Sequence, residues 1–315
     1  MSKTIIRSIL AIAASSAALL GAPAVVFNQQ LSDPNFNAHV AKPAYAKKHP
    51  KVLFDEAHFN FHTAGGRYKA FADLMTNDGY RITPNKQKFS KDSLDGYNIL
   101  VIANALGAAA PSDPQASNPA FTDEECDAVR DWVRSGGGLL LITDHQPTGA
   151  AAEKLAKRFG TEVRNSTAMD KAESNHLKGY YEVNLEFRRD NHLLIECPIT
   201  QGRDATERIN RVVTFGGQSL KGPAGSIGFL KLGETAIDIL PSKEKVSAAG
   251  RFQAIAMKFG KGRVVVTGEA GMLSAQLVAE EEGKPPTAPW GMNFSGIDNR
   301  QLALNIMHWL SGLLK

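Results

Sequence analysis

Residues Trp132 to Gln146 read W-V-R-S-G-G-G-L-L-L-I-T-D-H-Q. The stretch opens on the end of a helix. Thr122 and Glu125, just upstream, have capping-box spacing, and Cys126, Val129 and Val133 then fall on one helical face. Gly136-Gly137-Gly138 stops the helix. Leu139–Thr143 follows as an uninterrupted apolar run, and Asp144-His145-Gln146 closes it with three polar side chains. An amphipathic helix feeding a strand with no polar face predicts a parallel sheet buried on both sides.

The same alternation extends outward. Lys51–Asp55 (KVLFD) and Asn98–Ala103 (NILVIA) predict two more buried strands. Phe252–Phe259 and Arg263–Thr267 (RVVVT), joined by Gly260-Lys261-Gly262, predict a hairpin. Helices are expected over 65–77 with Thr63 as cap, over 122–135, over 150–159, and from a capping Asn299 along the stripe Leu302, Ile306, Trp309, Leu310, Leu313. Residues 161–250 hold short strand-like runs (Val212–Phe215, Ile227–Leu232, Ala236–Leu240), read as an insertion or an antiparallel extension of the sheet. The fold class is α/β, with helices on both faces of the parallel sheet.

The chain has 315 residues, 43% hydrophobic and 22% charged, with a net charge of +4. Such composition excludes collagen-like, coiled-coil and wholly disordered chains. No Lys/Arg run is longer than a pair such as Lys47–Lys48, so a nucleic-acid footprint is not supported.

Lys3 and Arg7, an uncharged stretch from Ser8 to Phe27 and Ala22-Pro23-Ala24 have the layout of a secretory signal peptide over 1–24. The rival is an uncleaved anchor, which would be the only membrane contact. Ala, Ser and Pro23 favour cleavage and hence a periplasmic or secreted protein. Residues 25–50, interrupted by Pro34, Pro43 and Pro50, are expected to be a flexible tether, and 51–315 a single domain. Cys126 reads as a small buried hydrophobe. Whether it pairs with Cys197 stays open.

Ligands of open parallel sheets bind outside the carboxyl ends of the strands. Three such ends carry acids and histidines: Asp55-Glu56-Ala57-His58-Phe59-Asn60-Phe61-His62, Asp144-His145-Gln146 and Gly268-Glu269-Ala270. Each residue also has a structural reading: His58 and His62 bonding loop carbonyls, Asp144 capping a helix, Glu269 pairing with an arginine. Together they predict one shared cleft, because desolvated charge is costly unless it is used or paired. His58 and His145 are the candidate bases, with Asp144, Glu269 and Glu56 as acids or orienting groups. Asp55, His58, His62 and His145 are the candidate ligands of a divalent metal such as Zn, Mn or Fe. Asn60, Gln146, Trp290 and Asn293 are candidate contacts to a small molecule or carbohydrate. G-x-S-x-G, P-loop, G-x-G-x-x-G, H-E-x-x-H and C-x-x-C motifs are missing.

Trp132–Ile142 resembles the helix–GG–strand unit of class I glutamine amidotransferase-like domains. The closest likeness is to their non-amidotransferase branch, the ThuA-like (trehalose-utilisation) and gliding-motility types. Gly260–Val266 resembles that branch's late G-K-G-R strand, and Asn299–Leu314 its closing helix. Pro198-Ile199-Thr200-Gln201-Gly202 resembles its H-P-I-T-x-G string, with Cys197 in the place of His. The resemblance runs from Lys51 to the end and implies a flavodoxin-like fold. Thr143-Asp144-His145 occupies the position of the amidotransferase cysteine nucleophile, so cysteine-dependent glutamine hydrolysis is not expected. Three function classes are left: a hydrolase-like enzyme, a non-catalytic carbohydrate-binding module, and an envelope scaffold.

Overall fold

A nine-stranded sheet organises the computed structural model, which describes residues 30–279 and 285–315. Its strands are β1 (Lys51–Asp55), β2 (Arg81–Asn85), β3 (Ile99–Ala103), β4 (Gly138–Ile142), β5 (Glu162–Val163), β6 (Leu220–Lys221), β7 (Ile227–Lys231), β8 (Phe252–Phe259) and β9 (Gly262–Thr267). They lie in the order β2-β1-β3-β4-β9-β8-β6-β5, with β7 also paired to β8. The first five are mutually parallel. Pairs β9/β8, β8/β6, β6/β5 and β8/β7 are antiparallel. The protein is thus mixed α/β with a central, mostly parallel sheet, extended antiparallel at one side.

Successive strand residues point to opposite faces. Val52, Phe54, Ile99, Val101, Leu140, Ile142 and Val265 join one apolar cluster with helices α1 (Lys69–Asn77) and α4 (Asn299–Leu310). Leu53, Leu100, Ile102, Leu139, Leu141, Val264 and Val266 join another with α2 (Asp123–Arg134) and α3 (Thr148–Lys157). Every residue of β3 and β4 is buried, which explains their unbroken apolar sequence. Each fully buried Val, Leu or Ile contributes about 1.5–3 kcal/mol.

Local chemistry sets the boundaries. Thr122 and Glu125 form the expected capping box of α2. Helix α1 starts at Lys69 and not at Gly65, because the Thr63 carbonyl accepts from Gly66 and Tyr68 N–H in a preceding turn. Asn299 does not cap α4. It is the first helical residue, and its side chain bonds Val213 N and O and Met272 O. Strand β2 has no counterpart among the predicted elements. It is an edge strand with three exposed residues and Pro84, features that an edge tolerates and that hide the apolar signal.

The expected tether is not one over residues 30–50. Gln30–Ser32 pairs with Ala275–Val278, which pairs in turn with Ala288–Gly291. Phe36, Ala38, Val40 and Tyr45 pack on the first cluster. Ala44 N–H donates to Asp78 and Tyr45 Oη to Ser311. Apolar residues too sparse to form an element of their own can each pack against a surface that already exists. The expected signal segment 1–24 and residues 25–29 lie outside the described residues. No helix among the described residues is long and apolar enough to cross a membrane.

Cys126 and Cys197 are both free and buried, and they belong to different clusters, on opposite faces of the sheet. Burial pushes the Cys126 thiol up to about 11, so it is inert at neutral pH.

Candidate functional site

Asp55, the last residue of β1, is fully buried. Both its oxygens lie 2.9 Å from His58 Nδ1, and it also accepts from Asn60 Nδ2 (3.0 Å) and Asn85 Nδ2 (3.3 Å). His58 Nε2 lies 2.9 Å from Glu125 Oε1. That same oxygen accepts from Phe89 N–H, and Oε2 from Thr122 N–H. Phe89 and Phe121 flank the imidazole at 4.7 Å each. Two carboxylates can both accept from one imidazole only if both ring nitrogens carry protons, so His58 is a buried cation. Burial opposes that charge, but the hydrogen bonds and charges of Asp55 and Glu125 outweigh it and hold the His58 pKa above 6.5. Burial likewise pushes Glu125 up, but the Thr122 N–H and His58 hold it below its ordinary value. The cluster is closed: each nitrogen of His58 is already committed.

A different arrangement follows β4 and β9. Asp144 Oδ1 accepts from His145 N–H (2.7 Å) and Oδ2 from Ala270 N–H (3.2 Å). Glu269 is buried; its oxygens accept from Gly271 N–H (2.6 Å) and Met272 N–H (2.7 Å). Burial and the neighbouring Asp144 charge push Glu269 well above the usual carboxylate range, against the pull of the Met272, Gly271 and Phe215 N–H groups. Tyr68 Oη donates to Ala270 O, and its ring packs against His62 at 4.7 Å, tilted by 33°. The His145 side chain is 56% exposed, with Nε2 3.8 Å from Asp144 Oδ1. Its Nδ1 lies 2.9 Å from the Gln146 carbonyl. A carbonyl only accepts, so the proton sits on Nδ1 and the Nε2 lone pair is free.

Phe215-Gly216-Gly217 completes this edge. A Cβ at Gly217 would lie 2.4 Å from Gly268 O, and φ is +97° there, so only glycine fits. A Cβ at Gly216 would be 3.9 Å from the His145 ring. Trp290, half-buried, packs on Phe215 at 4.7 Å, and its Nε1 would lie 3.0 Å from a Cβ on Gly271.

The expected cleft therefore divides by its bonding. Asp55, His58 and Asn60 belong to the closed cluster. Asp144, His145 and Glu269 meet at the other, with His62 reaching it through Tyr68. Glu56 accepts from Ala64 N–H and pairs with Lys86. Gln146 is exposed. Asn293 bonds Trp290 N, Asp33 and Gln276 O, and so braces the Trp290 turn. Asp55, His58, His62 and His145 do not make a ligand set: His58 has no free lone pair, and no group of three or more metal-ligating side chains occurs among the described residues. Sequence reasoning missed Glu125 as a His58 partner, although its capping-box spacing marked the residue. Tyr68 carried only a helix-face signal, and Asn85 lay on the unseen edge strand.

No family profile and no curated protein matches the chain. Its fold is similar to the "mmIFT52 N-terminal domain", with a TM-score of 0.59 at 14% identity, over 82% of this chain and 97% of that one. Solved neighbours include a ThuA-like protein from Bacteroides uniformis ATCC 8492, with a TM-score of 0.40 at 14% identity over 85% of this chain and 94% of that one. Another, from Parabacteroides merdae ATCC 43184, has a TM-score of 0.41 at 12% identity over 84% and 90%.

Proposed function

We propose that this chain is an exported, hydrolase-like enzyme of the non-amidotransferase branch of the class I glutamine amidotransferase-like superfamily. Its flavodoxin-like sheet would form the middle of three layers, with Asp144 and His145 as the working pair at the carboxyl edge. One observation carries the reading: His145 is a solvent-facing imidazole whose Nδ1 is tied to Gln146 O, which leaves Nε2 to take a proton, 3.8 Å from the Asp144 carboxylate. In hydrolysis His145 Nε2 removes a proton from the attacking water, and Asp144 stabilises the imidazolium that forms. Glu269 acts as a positioning residue, since its oxygens are occupied by the N–H groups that hold the 270–272 loop and Phe215.

The test is turnover of chromogenic esters, amides and glycosides by the full chain, beside His145→Ala and Asp144→Asn. Activity that both variants retain overturns the assignment. Export is checked by mass spectrometry of the protein from its host. A mature N-terminus near Val25 is expected, and an intact Met1 in the cytoplasmic fraction overturns it.

The packing of Trp290 on Phe215 favours one second reading, a non-catalytic carbohydrate-binding module in which these rings stack on a sugar. Saturable sugar binding with no turnover of any substrate class would select it.

A further inference from the structure

A circuit of contacts closes at the carboxyl edge beside Asp144. His62 packs against Tyr68; Tyr68 Oη donates to Ala270 O at 2.6 Å; Ala270 N–H donates to Asp144 Oδ2 at 3.2 Å. Two residues before Asp144, the Ile142 carbonyl accepts from Asn104 N–H at 3.0 Å. The Asn104 carbonyl accepts from Phe61 N–H at 2.9 Å, and Phe61 is covalently next to His62. Two side chains of this circuit carry buried polar atoms with no hydrogen-bond partner among the described residues: His62 Nδ1 and Asn104 Oδ1. The residues are 3% and 4% exposed. Asn104 also holds φ at +49°, left-handed backbone that a non-glycine residue keeps only where its surroundings enforce it. Folding requires neither the strain nor the unpaired atoms; Asn104 directly follows β3, and His62 lies in the loop after β1.

We propose that His62 and Asn104 form a subsite for a hydroxyl group of a small neutral polyol or sugar. The inference deepens the function proposed above and rests on its reading of the carboxyl edge as the working face. The ligand class follows from the atoms. Asn104 Oδ1 can only accept, so the ligand must donate. Burial and the Arg67 charge bring the His62 pKa down to about 3, so its ring is neutral and Nδ1 donates or accepts according to tautomer. A hydroxyl group donates to one atom and serves the other. A carboxylate or phosphate brings no proton for Asn104 and meets the Asp144 charge. An ammonium group, which only donates, would serve only one of the two His62 tautomers, whereas a hydroxyl serves both.

The experiment follows the histidine ring Cε1–H signals of the full chain, 13C-labelled at histidine, during titration with glycerol, myo-inositol and D-glucose. His62→Phe, which keeps a ring between Phe61 and Tyr68, assigns the His62 signal. A saturable His62 shift with at least one probe is expected, weakened at least about tenfold by Asn104→Gly. Glycine accepts the backbone angle and removes the orphan oxygen, so the unfolding midpoint of this variant should equal or exceed that of the native chain. A His62 signal that no probe shifts saturably up to about 100 mM overturns the subsite. So does an Asn104→Gly chain that loses stability while binding unchanged. The two proposals fail separately. Turnover that depends on His145 with an unmoved His62 signal sinks the subsite alone. A His62 shift with no turnover sinks the hydrolase reading and leaves the subsite standing.

Discussion

At the end of β1, Asp55 precedes His58 by three residues; at the end of β4, Asp144 precedes His145 directly. The sequence signatures are nearly interchangeable, yet the outcomes are opposite. Three residues of loop let His58 turn back on Asp55, where α2 brings Glu125 to the second nitrogen and Phe89 and Phe121 seal the ring. His145 has no such loop. Its backbone N–H binds Asp144, and its ring is left in solvent with one nitrogen free. An acid and a histidine at a strand end are thus insufficient to name a reactive site. The number of ring nitrogens left unbonded separates the closed ion cluster from the pair proposed above to be reactive.

The largest effect should come from breaking the closed cluster. Asp55→Ala leaves a buried imidazolium with one partner removed, and urea unfolding should register a loss of about 3–5 kcal/mol. A loss below about 1 kcal/mol would mean that the cluster is no more cohesive than an exposed pair. The open pair should respond in the reverse sense. His145→Ala should lower turnover by about a hundredfold or more and move stability by no more than about 0.5 kcal/mol, as for a surface site.

The comparison sharpens with pH. The folded pKa of His58 lies above its ordinary 6.5, so its contribution is complete below pH 6.5 and is lost as pH rises through the folded value. The folded pKa of Glu125 lies below its ordinary 4.5, so its contribution is present above pH 4.5 and is lost as pH falls through the folded value. The stability of the native chain relative to His58→Gln should therefore peak between pH 4.5 and 6.5 and decline on both sides. A difference that is flat with pH would show that His58 is not a cation. The last prediction concerns neither cluster. Cys126→Ala should cost about 1–2 kcal/mol, equally with and without reductant, because Cys126 and Cys197 lie on opposite faces of the sheet.

The parallel sheet was legible because β3 and β4 are buried on both faces and their sequences say so without interruption. The capping box of α2 was legible because it needs only two residues at fixed spacing. What escaped depended on partners remote in sequence. Strand β2 is held by its pairing to β1, not by its own apolarity. Residues 30–50 are ordered by a surface built from later segments. Within the candidate site, the seven acids and histidines were visible as residue types at strand ends. Their division into two clusters, with Glu56 in neither, was not, since it turns on Glu125 and Tyr68, which reach the edge from helix α2 and the turn before α1.

The segment that begins at Gln30 bears on how the protein can be handled. Asp33 bonds Ala275 O and Asn293, so the described chain starts against the small sheet that carries Trp290. At the other end, the Leu314 carbonyl accepts from Arg263 near the start of β9, at the amino edge of the main sheet. A fusion partner or immobilising tag placed shortly before Gln30 would lie beside the small sheet that carries Trp290. One attached after Lys315 would leave that edge facing away from the support.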